Sequence, residues 1–574
     1  MMATASAPRL SAPTARLFGL APAAEAALLL VLYTALTALL FRFWLPTLGT
    51  DLIGPPEDNL QDFWNTWYGA IAADPGHFLA TRLLRFPEGT PLVYHSFAYP
   101  QVAAVALWAR LTGASAEALV PAQNLTLLAS FPLAAAGAYY VARHFTGSAF
   151  ASLAAGFVFA FNPSHVEHVM HHAHVSQIEF IPYFVLAYLV ALERRSAAFV
   201  CLAIALYALC ALSCWYYLFY CAYFVVFHSL FIAVRERTWP AGWSLAVPVL
   251  TLAGVVALLS PLLVPMVRAA LGSASVYQPG GDLYVADLAA YLAFPPFHAL
   301  GDAARGIYAR LGTNEWEGTV YVGVVNLLLV GWLAWSRREL DRRLLAYLLA
   351  VSVLFAVLAS GDSLHILGHR TVPMPGAVLS RLPFFKNVRT PSRAMVFVYL
   401  FLGVAVSYAL AQLGRRARGL PARAAVVAAS VLLVADFAPA HPLPVTPRVC
   451  PAGLAVIRDD PERGFGVLDL PSGTPRGYLA GNVYMFEQTC HGRPIMQGNI
   501  SRDIPVSLRD QLNVSDLPAQ IAQLKAAHVK YVVINRAPMG IALRRRPGDA
   551  DLDAYATLLP VVYDGPDLSV YRVQ

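Results

Sequence analysis

The chain has 574 residues, of which 58% are hydrophobic and only 13% charged, and its formal net charge is +7. Soluble globular proteins carry about 25% charged residues, so this composition excludes an ordinary soluble protein and indicates an integral membrane protein. The arginines lie in short clusters between apolar runs, which is typical of cytoplasmic loops and not of a nucleic-acid-binding surface.

The first apolar run covers residues 24–45, and its only charges, Glu25 and Arg42, lie near its two ends. A helix of about 20 residues crosses the hydrocarbon core of a bilayer. The sequence has no small-residue cleavage site after a short apolar core at this point. We therefore expect a retained first membrane span and not a signal peptide that is removed.

Eleven more apolar runs follow, and the arginine clusters between them indicate their orientation, because arginine-rich loops stay in the cytoplasm. With a cytoplasmic N-terminus, the clusters agree only if one early run does not cross, and the short run 97–112 is the one we choose. The sequence predicts a polytopic α-helical membrane protein with about 11–12 transmembrane helices. The later runs are 97–112, 119–142, 147–162, 177–192, 197–213, 215–234, 241–264, 318–336, 344–360, 394–414 and 424–440.

This topology divides the chain into a transmembrane domain, residues 1–440, and an extracytoplasmic C-terminal domain, residues 441–574, that opens with a proline-rich linker. The C-terminal domain reads as a small α/β fold. It contains Cys450 and Cys490, and an oxidising compartment would permit a disulfide between them. Its strand-like runs are 466–470, 531–535 and 568–573, and its helical run is 518–528.

The large first outer loop, residues 46–96, opens with the acidic and aromatic segment GPPEDNLQDFWNTW at 54–67. Its acids are Glu57, Asp58 and Asp62. Asp58 and Asp62 are four residues apart and share one face if a helix begins near Asn59. Asp58 would serve equally well as the N-cap of that helix, and Glu57 and Asp62 as ordinary solvated surface acids.

A second unusual segment is rich in histidine and occupies the outer loop 163–176. A pair such as His168 and His172, four residues apart on a helix, can ligate a metal, although no neighbour completes a ligand set. Contact with a phosphate or a sugar and a polar turn at the membrane surface are the other interpretations. Glu179 begins the next span and should face a polar cavity, because a carboxylate is costly in lipid. The histidines are His165, His168, His171, His172 and His174.

Three basic residues, Lys386, Arg389 and Arg393, lie at the outer entrance to the run 394–414. Basic residues on the outer side oppose the positive-inside trend, so a specific role is indicated. The guanidinium fork suits phosphate oxygens, and contact with lipid head groups is the alternative.

The chain resembles the GT-C superfamily of membrane glycosyltransferases, in particular uncharacterised bacterial members. The resemblance is carried by the first-loop stretch at 54–65, by YMFEQTCHGRPI at 484–495 and by PVVYD at 560–564. It implies a GT-C fold and an inverting enzyme of the bacterial inner membrane that takes a sugar from a polyprenyl-phosphate donor. The acceptor would be an extracytoplasmic glycan, lipid or protein.

Such a transfer requires a base for the acceptor hydroxyl and cationic groups for the departing phosphate. The resemblance implies that the base comes from the first-loop acids, with Asp58 preferred over Glu57 and Asp62. We assign no metal ligands, although a divalent metal stays possible. The alternative from another class is a non-catalytic GT-C-like protein in the export or assembly of surface polysaccharide or lipid. The candidates for contact with the donor phosphate or substrate are Lys386, Arg389, Arg393, His165, His168, His172 and Glu179.

Overall fold

The computed structural model shows a mostly helical protein with a small mixed sheet near its C-terminus. The described residues are 17–272, 281–336, 341–382, 388–416, 420–473, 479–501, 506–536, 538–541, 543–545 and 549–573. Helices α1 to α11 cover Pro22–Leu40, Asp58–Trp67, Tyr99–Thr112, Leu119–Thr146, Ala149–Ala160, Pro163–His171, Ala173–Ser176, Phe180–Arg194, Ala197–Ser213, Trp215–Glu236 and Trp243–Gly272. Helices α12 to α23 cover Gly301–Tyr308, Glu315–Gly318, Val324–Trp335, Arg342–Ala359, Gly376–Leu379, Met395–Arg416, Leu420–Phe437, Leu454–Arg458, Leu479–His491, Leu508–Gln511, Leu517–Ala526 and Tyr555–Leu558. Strands β1 to β10 cover Asp51–Ile53, Ala80–Thr81, Thr90–Pro91, Ser363–Ile366, His369–Pro373, Val445–Pro447, Gly466–Leu470, Val529–Asn535, Val561–Asp564 and Leu568–Arg572.

Among the described residues, seven helices are long and apolar enough to cross a membrane, or eight if the bent pair α5 and α6 forms one broken span. Three shorter apolar helices of this part of the chain, Ala197–Ser213, Val324–Trp335 and Ala424–Phe437, match the remaining runs that the sequence predicts to cross. Helix α3 contains the short run predicted to stay on one side, and it is not among these described segments. The chain is a multi-pass integral membrane protein.

The helices of the membrane domain pack around α17. The apolar stretch that includes α17 is 94% buried, whereas that of α1 is 28% buried and so faces mainly outward. Helix α5 packs against both α4 and α17. Small residues permit such close contacts between spans. At Gly156 of α5, a Cβ atom would lie only 2.2 Å from the hydroxyl of Tyr33 on α1, so no larger residue fits there without a shift.

The first outer loop is tied to the linker that follows the last span. Strand β1 of the loop pairs antiparallel with β6 of the linker, with Leu52 opposite Thr446. Helix α2 comes next and begins at Asp58, close to the predicted start. It packs against α6 and α7 on one side and against α20 on another. These contacts bring the acidic segment between the histidine-rich segment and the C-terminal domain.

The C-terminal domain contains a four-stranded sheet in the order β7-β8-β10-β9, in which β7 and β8 are parallel and the other pairs antiparallel. Cys450 and Cys490 form a disulfide, as an oxidising compartment permits. One hydrophobic core contains Phe63 and Trp64 of α2 together with Val483 and Phe486 of α20. The domain therefore shares buried apolar surface with the first outer loop, and burial of this kind is the main stabilising term in such contacts.

Candidate functional site

Gly54 joins the first outer loop to the histidine-rich segment. Its φ of +100° lies in the region that favours glycine, and a Cβ atom there would lie 1.9 Å from the carbonyl oxygen of Met170. Its own carbonyl accepts hydrogen bonds from Thr446 Oγ1 at 2.8 Å and from Asn59 Nδ2 at 3.2 Å. The turn before Glu57 and Asp58 is therefore held against the end of α6.

We expect Gly54→Ala to lower the stability of the protein by about 2–4 kcal/mol, because the added methyl group overlaps backbone atoms that cannot rotate away. Thermal unfolding of the purified protein measures this effect. Gly113→Ala is the matched control, since Gly113 also has a positive φ (+67°) but nothing within 4 Å of its Cβ position. The control should cost about 1–2 kcal/mol. Equal losses in the two variants would contradict the close contact between Gly54 and Met170.

Asp58 contacts both the histidine-rich segment and the C-terminal domain. It begins α2, but Glu57 occupies the N-cap position, so the alternative in which Asp58 merely caps the helix is wrong. Asp58 Oδ1 accepts a hydrogen bond from Asn482 Nδ2 at 2.9 Å, and Oδ2 lies 3.1 Å from His172 Nε2. Burial raises the pKa of Asp58, but the bonds from His172 and Asn482 outweigh it and hold the pKa below its usual value. Its carboxylate is ionised near neutral pH, and 28% of the side chain is exposed.

The other two first-loop acids have different surroundings. Asp62 is buried, and its Oδ2 accepts a hydrogen bond from the backbone N–H of Ala173 at 2.8 Å, which anchors the start of α7. Burial, together with the charge of Asp58, raises the pKa of Asp62 to about 8. Glu57 Oε2 lies 3.4 Å from His171 Nδ1. Asp62 therefore holds the histidine-rich segment, and Glu57 lies at its edge.

The histidines divide between structural and site positions. His165 contacts the backbone around its own segment, with Nδ1 2.5 Å from the Ala160 carbonyl oxygen and Nε2 2.9 Å from the Ser176 carbonyl oxygen. His172 faces Asp58, and His168 Nε2 lies 3.3 Å from Glu317 Oε2. Of the three predicted contact histidines, the structure brings two to the acids.

Glu317 is a member of this site that sequence reasoning missed. It lies in the short helix α13, where its backbone N–H donates to Asn314 Oδ1 at 2.9 Å. Its Oε1 accepts a hydrogen bond from Arg393 Nε at 3.0 Å and another from Arg393 Nη2. Its Oε2 accepts a bond from Ser392 Oγ at 3.2 Å. An acid directly before the apolar run 318–336 was the available signal, since acids beside spans are often functional.

Electrostatics make Glu317 a fixed negative charge. Burial raises its pKa, but the Arg393 guanidinium and the nearby His168 imidazole outweigh that cost and hold the pKa well below its usual range. Arg393 also lies over the ring of Tyr216, with its guanidinium carbon 4.9 Å from the ring centre. We call Asp58, His168, His172, Glu317 and Arg393 the acid–histidine cluster.

The cluster as defined does not include the remaining predicted contact residues, Arg389, Lys386 and Glu179. Arg389 is half-buried on the chain leading into α17. Lys386 lies outside the described residues. Glu179 is buried before α8, and its Oε2 has no hydrogen-bond partner in the described part of the chain. Of the predicted basic residues, Arg393 is the one that the described contacts place in the cluster.

The cluster contains one set of groups able to hold a metal ion. The ligand atoms of His168, His172 and Glu317 lie within 4.8 Å of one another. Two imidazoles and a carboxylate are a ligand set typical of zinc. However, both Glu317 oxygens already accept hydrogen bonds, and the adjacent Arg393 charge repels a cation. The donor atoms fit a metal, whereas the charge on Arg393 opposes one.

A cavity of about 730 Å³ lies beside the cluster and reaches it through His174, whose ring centre is 5.9 Å from that of His172. The cavity lies between α10, α11 and the end of the first outer loop, and apolar side chains supply most of its lining. Arg268 is a charged residue of the lining. This geometry suits a ligand with a long apolar part and an anionic end.

The model of the family described as Domain of unknown function (DUF6311) matches residues 29–438, and no curated protein matches the sequence. The solved arabinofuranosyltransferase AftD from Mycobacteria is similar with a TM-score of 0.58 and 14% identity, over 95% of this chain and 40% of that chain. The oligosaccharyltransferase AglB from Archaeoglobus fulgidus, in complex with an inhibitory peptide and a dolichol-phosphate, has a TM-score of 0.50 and 14% identity, over 89% of this chain and 69% of that chain.

ArnT from Cupriavidus metallidurans, bound to undecaprenyl phosphate, has a TM-score of 0.46 and 12% identity, over 95% of this chain and 98% of that chain. The chain thus spans less than half the length of AftD and about two thirds of the length of AglB. At these identities the similarity concerns the fold, which is GT-C-like.

Proposed function

The chain belongs to the DUF6311 family, and from its GT-C-like fold and its acid–histidine cluster we propose that it is an integral-membrane glycosyltransferase. It transfers a sugar from a polyprenyl-phosphate donor to an extracytoplasmic glycan, lipid or protein. The enzyme acts at the outer face of a bacterial inner membrane, where the C-terminal domain also lies. The observation that carries the proposal is the ionised, partly exposed carboxylate of Asp58, whose partner His172 lies next to His174 in the lining of an apolar cavity.

Asp58 is the proposed base. With a pKa below the usual value, its carboxylate is ionised at neutral pH, which is the form that can accept the proton of an acceptor hydroxyl. His172 Nε2, at 3.1 Å from Oδ2, holds the carboxylate in one orientation. Asp62 is less suited to this role because it is buried and accepts a backbone hydrogen bond. Glu57 lies next to His171 and not next to His172.

The cavity is the proposed position of the polyprenyl chain. Its apolar lining matches an isoprenoid, and His174 and Arg268 provide polar groups for the phosphate. Arg389 and Lys386 precede α17 and are further candidates for the phosphate. Arg393 is paired with Glu317, so we assign it to fixing the cluster and stabilising negative charge rather than to a free phosphate clamp. AglB, whose fold is similar, has been solved with a dolichol-phosphate, a carrier of the same chemical class.

The proposal is tested with the full-length protein in lipid nanodiscs. A panel of undecaprenyl-phosphate monosaccharides is supplied with an extract of envelope glycans and lipids as acceptors. Release of undecaprenyl phosphate is then measured by mass spectrometry, because this product is common to every acceptor. We expect release with at least one donor above the rate without protein. A chelator arm reports whether turnover requires a divalent metal.

If the protein binds undecaprenyl phosphate but releases none from any donor, the proposed transferase activity is contradicted and the non-catalytic alternative is favoured. That protein would retain the fold and the cavity for export or assembly of surface polysaccharide or lipid. Binding is followed by quenching of tryptophan fluorescence, because Trp215 lines the cavity. The two measurements together separate a carrier-binding protein from a transferase.

A further inference from the structure

The C-terminal domain reaches the acid–histidine cluster through α20. Trp64 Nε1 of α2 donates a hydrogen bond to Gln488 Oε1 of α20 at 2.7 Å, and the rings of Phe63 and Phe486 lie 5.8 Å apart. These contacts fix the two helices side by side. The first turn of α20 then ends next to the first turn of α2, where Asp58 lies.

Asn482, in that first turn of α20, is completely buried. Its Nδ2 donates to Asp58 Oδ1 at 2.9 Å and lies 3.4 Å from the Glu57 carbonyl oxygen. Its Oδ1 accepts a hydrogen bond from Asn499 Nδ2 at 2.9 Å. The Asn499 carbonyl in turn accepts a bond from Gln61 Nε2 of α2. The acceptor bond at Oδ1 orients the amide, so its N–H groups must point at the first-loop acid.

We infer that Asn482 is a positioning residue that fixes the orientation of the Asp58 carboxylate, so the C-terminal domain completes the active site. This inference rests on the proposed function. A hydrogen bond to the charged form of an acid favours that form, and a buried donor without competing water does so strongly. Asn482 and His172 bind different oxygens of the same carboxylate, so together they fix its rotation as well as its charge.

The inference predicts a shift in the protonation of Asp58 when Asn482 is changed. Asn482→Ala removes the donor, and the nearly isosteric Asn482→Asp replaces it with a group that repels the carboxylate. We expect the apparent pKa of Asp58 to rise by about one unit in Asn482→Ala and by more in Asn482→Asp. A smaller rise is expected in Asn499→Ala, because Asn482 then loses the partner that orients it.

The measurement is labelling by dicyclohexylcarbodiimide, which reacts with protonated carboxyl groups. The full-length protein in nanodiscs is labelled across a pH series, and modification at Asp58 is located by tandem mass spectrometry. The pH of half-maximal labelling should move upward in the Asn482 variants. The acid limb of turnover should move upward by the same amount, with the KM for the donor unchanged. Gln511→Ala, at an exposed amide of the same domain, is the control and should match the wild-type protein.

The inference would be overturned if both Asn482 variants gave the same labelling and turnover profiles as the wild-type protein. If Asn482→Ala fails to fold, Asn482→Asp and Asn499→Ala carry the test, since Asn482→Asp keeps a side chain of nearly the same size and Asn499→Ala leaves Asn482 itself in place. A shifted labelling profile in a protein without turnover would support the role of Asn482 and contradict the proposed function. Normal turnover that depends on Asp58, with unshifted profiles in the Asn482 variants, would support the proposed function and contradict the role of Asn482.

Discussion

Replacing Asp58 by asparagine is expected to lower the release of undecaprenyl phosphate by about 10²–10⁴-fold, the usual contribution of a general base. Asparagine has the shape of aspartate and can still accept the hydrogen bond from Asn482, so the fold of the first loop should survive. It cannot take a proton from an acceptor hydroxyl. The rate of carrier release at saturating donor measures the effect, and binding of undecaprenyl phosphate to the variant shows that the cavity is intact.

Asp62→Asn is the comparison that makes this result specific. Asp62 lies one turn farther along α2, is buried and accepts a hydrogen bond from the Ala173 N–H, which an asparagine Oδ1 can also accept. Because the pKa of Asp62 is raised to about 8, its side chain is mostly protonated near neutral pH. Replacement by the uncharged asparagine should therefore change the charge and the activity little. We expect this variant to retain turnover within about tenfold of the wild-type rate. If cells that accumulate the folded Asp58→Asn variant keep an unchanged surface-glycan composition, the proposed glycosyltransferase activity is contradicted.

The membrane domain could largely be predicted from the sequence, because the length and apolarity of each run act locally. The apolar runs coincide with the helices of the membrane domain. In the C-terminal domain, the strand-like run 466–470 coincides with β7. The acidic segment and the histidine-rich segment were each recognisable from residue types alone. The predicted topology has both segments on one side of the membrane, which permits the direct contact of His172 with Asp58 but does not specify it.

The rest of the site could not be predicted because it depends on contacts between distant parts of the chain. Glu317 becomes part of the cluster only when α13 packs against α6, and nothing in its own neighbourhood specifies that contact. Asn482 is separated from Asp58 by 424 positions in the sequence. The sequence presented 441–574 as a separate domain, whereas α2 and α20 share one hydrophobic core. The sequence predicts Arg393 as a phosphate ligand, whereas the structure pairs it with Glu317.

The second large effect is expected at Glu317. Glu317→Gln should destabilise the protein by about 3–5 kcal/mol, because the buried Arg393 guanidinium loses its carboxylate partner and keeps an uncompensated charge. Both side chains are almost fully buried, with 3% of Glu317 and 8% of Arg393 exposed. Thermal unfolding in nanodiscs measures the loss. The double variant Glu317→Gln with Arg393→Met should recover most of it, since the charge that needed a partner is gone.

The same pair of variants distinguishes an ion pair from a metal site. If His168, His172 and Glu317 bind a divalent cation in the working protein, a chelator should destabilise the wild-type protein but not Glu317→Gln, because only the wild-type protein has the complete ligand set. If the Arg393 pair is the stabilising element, the chelator changes neither protein, and the double variant stays stable. We expect the second result, since the Arg393 charge lies directly on the carboxylate that a metal would need. A Glu317→Gln variant as stable as the wild-type protein, with and without chelator, would show that neither interaction contributes.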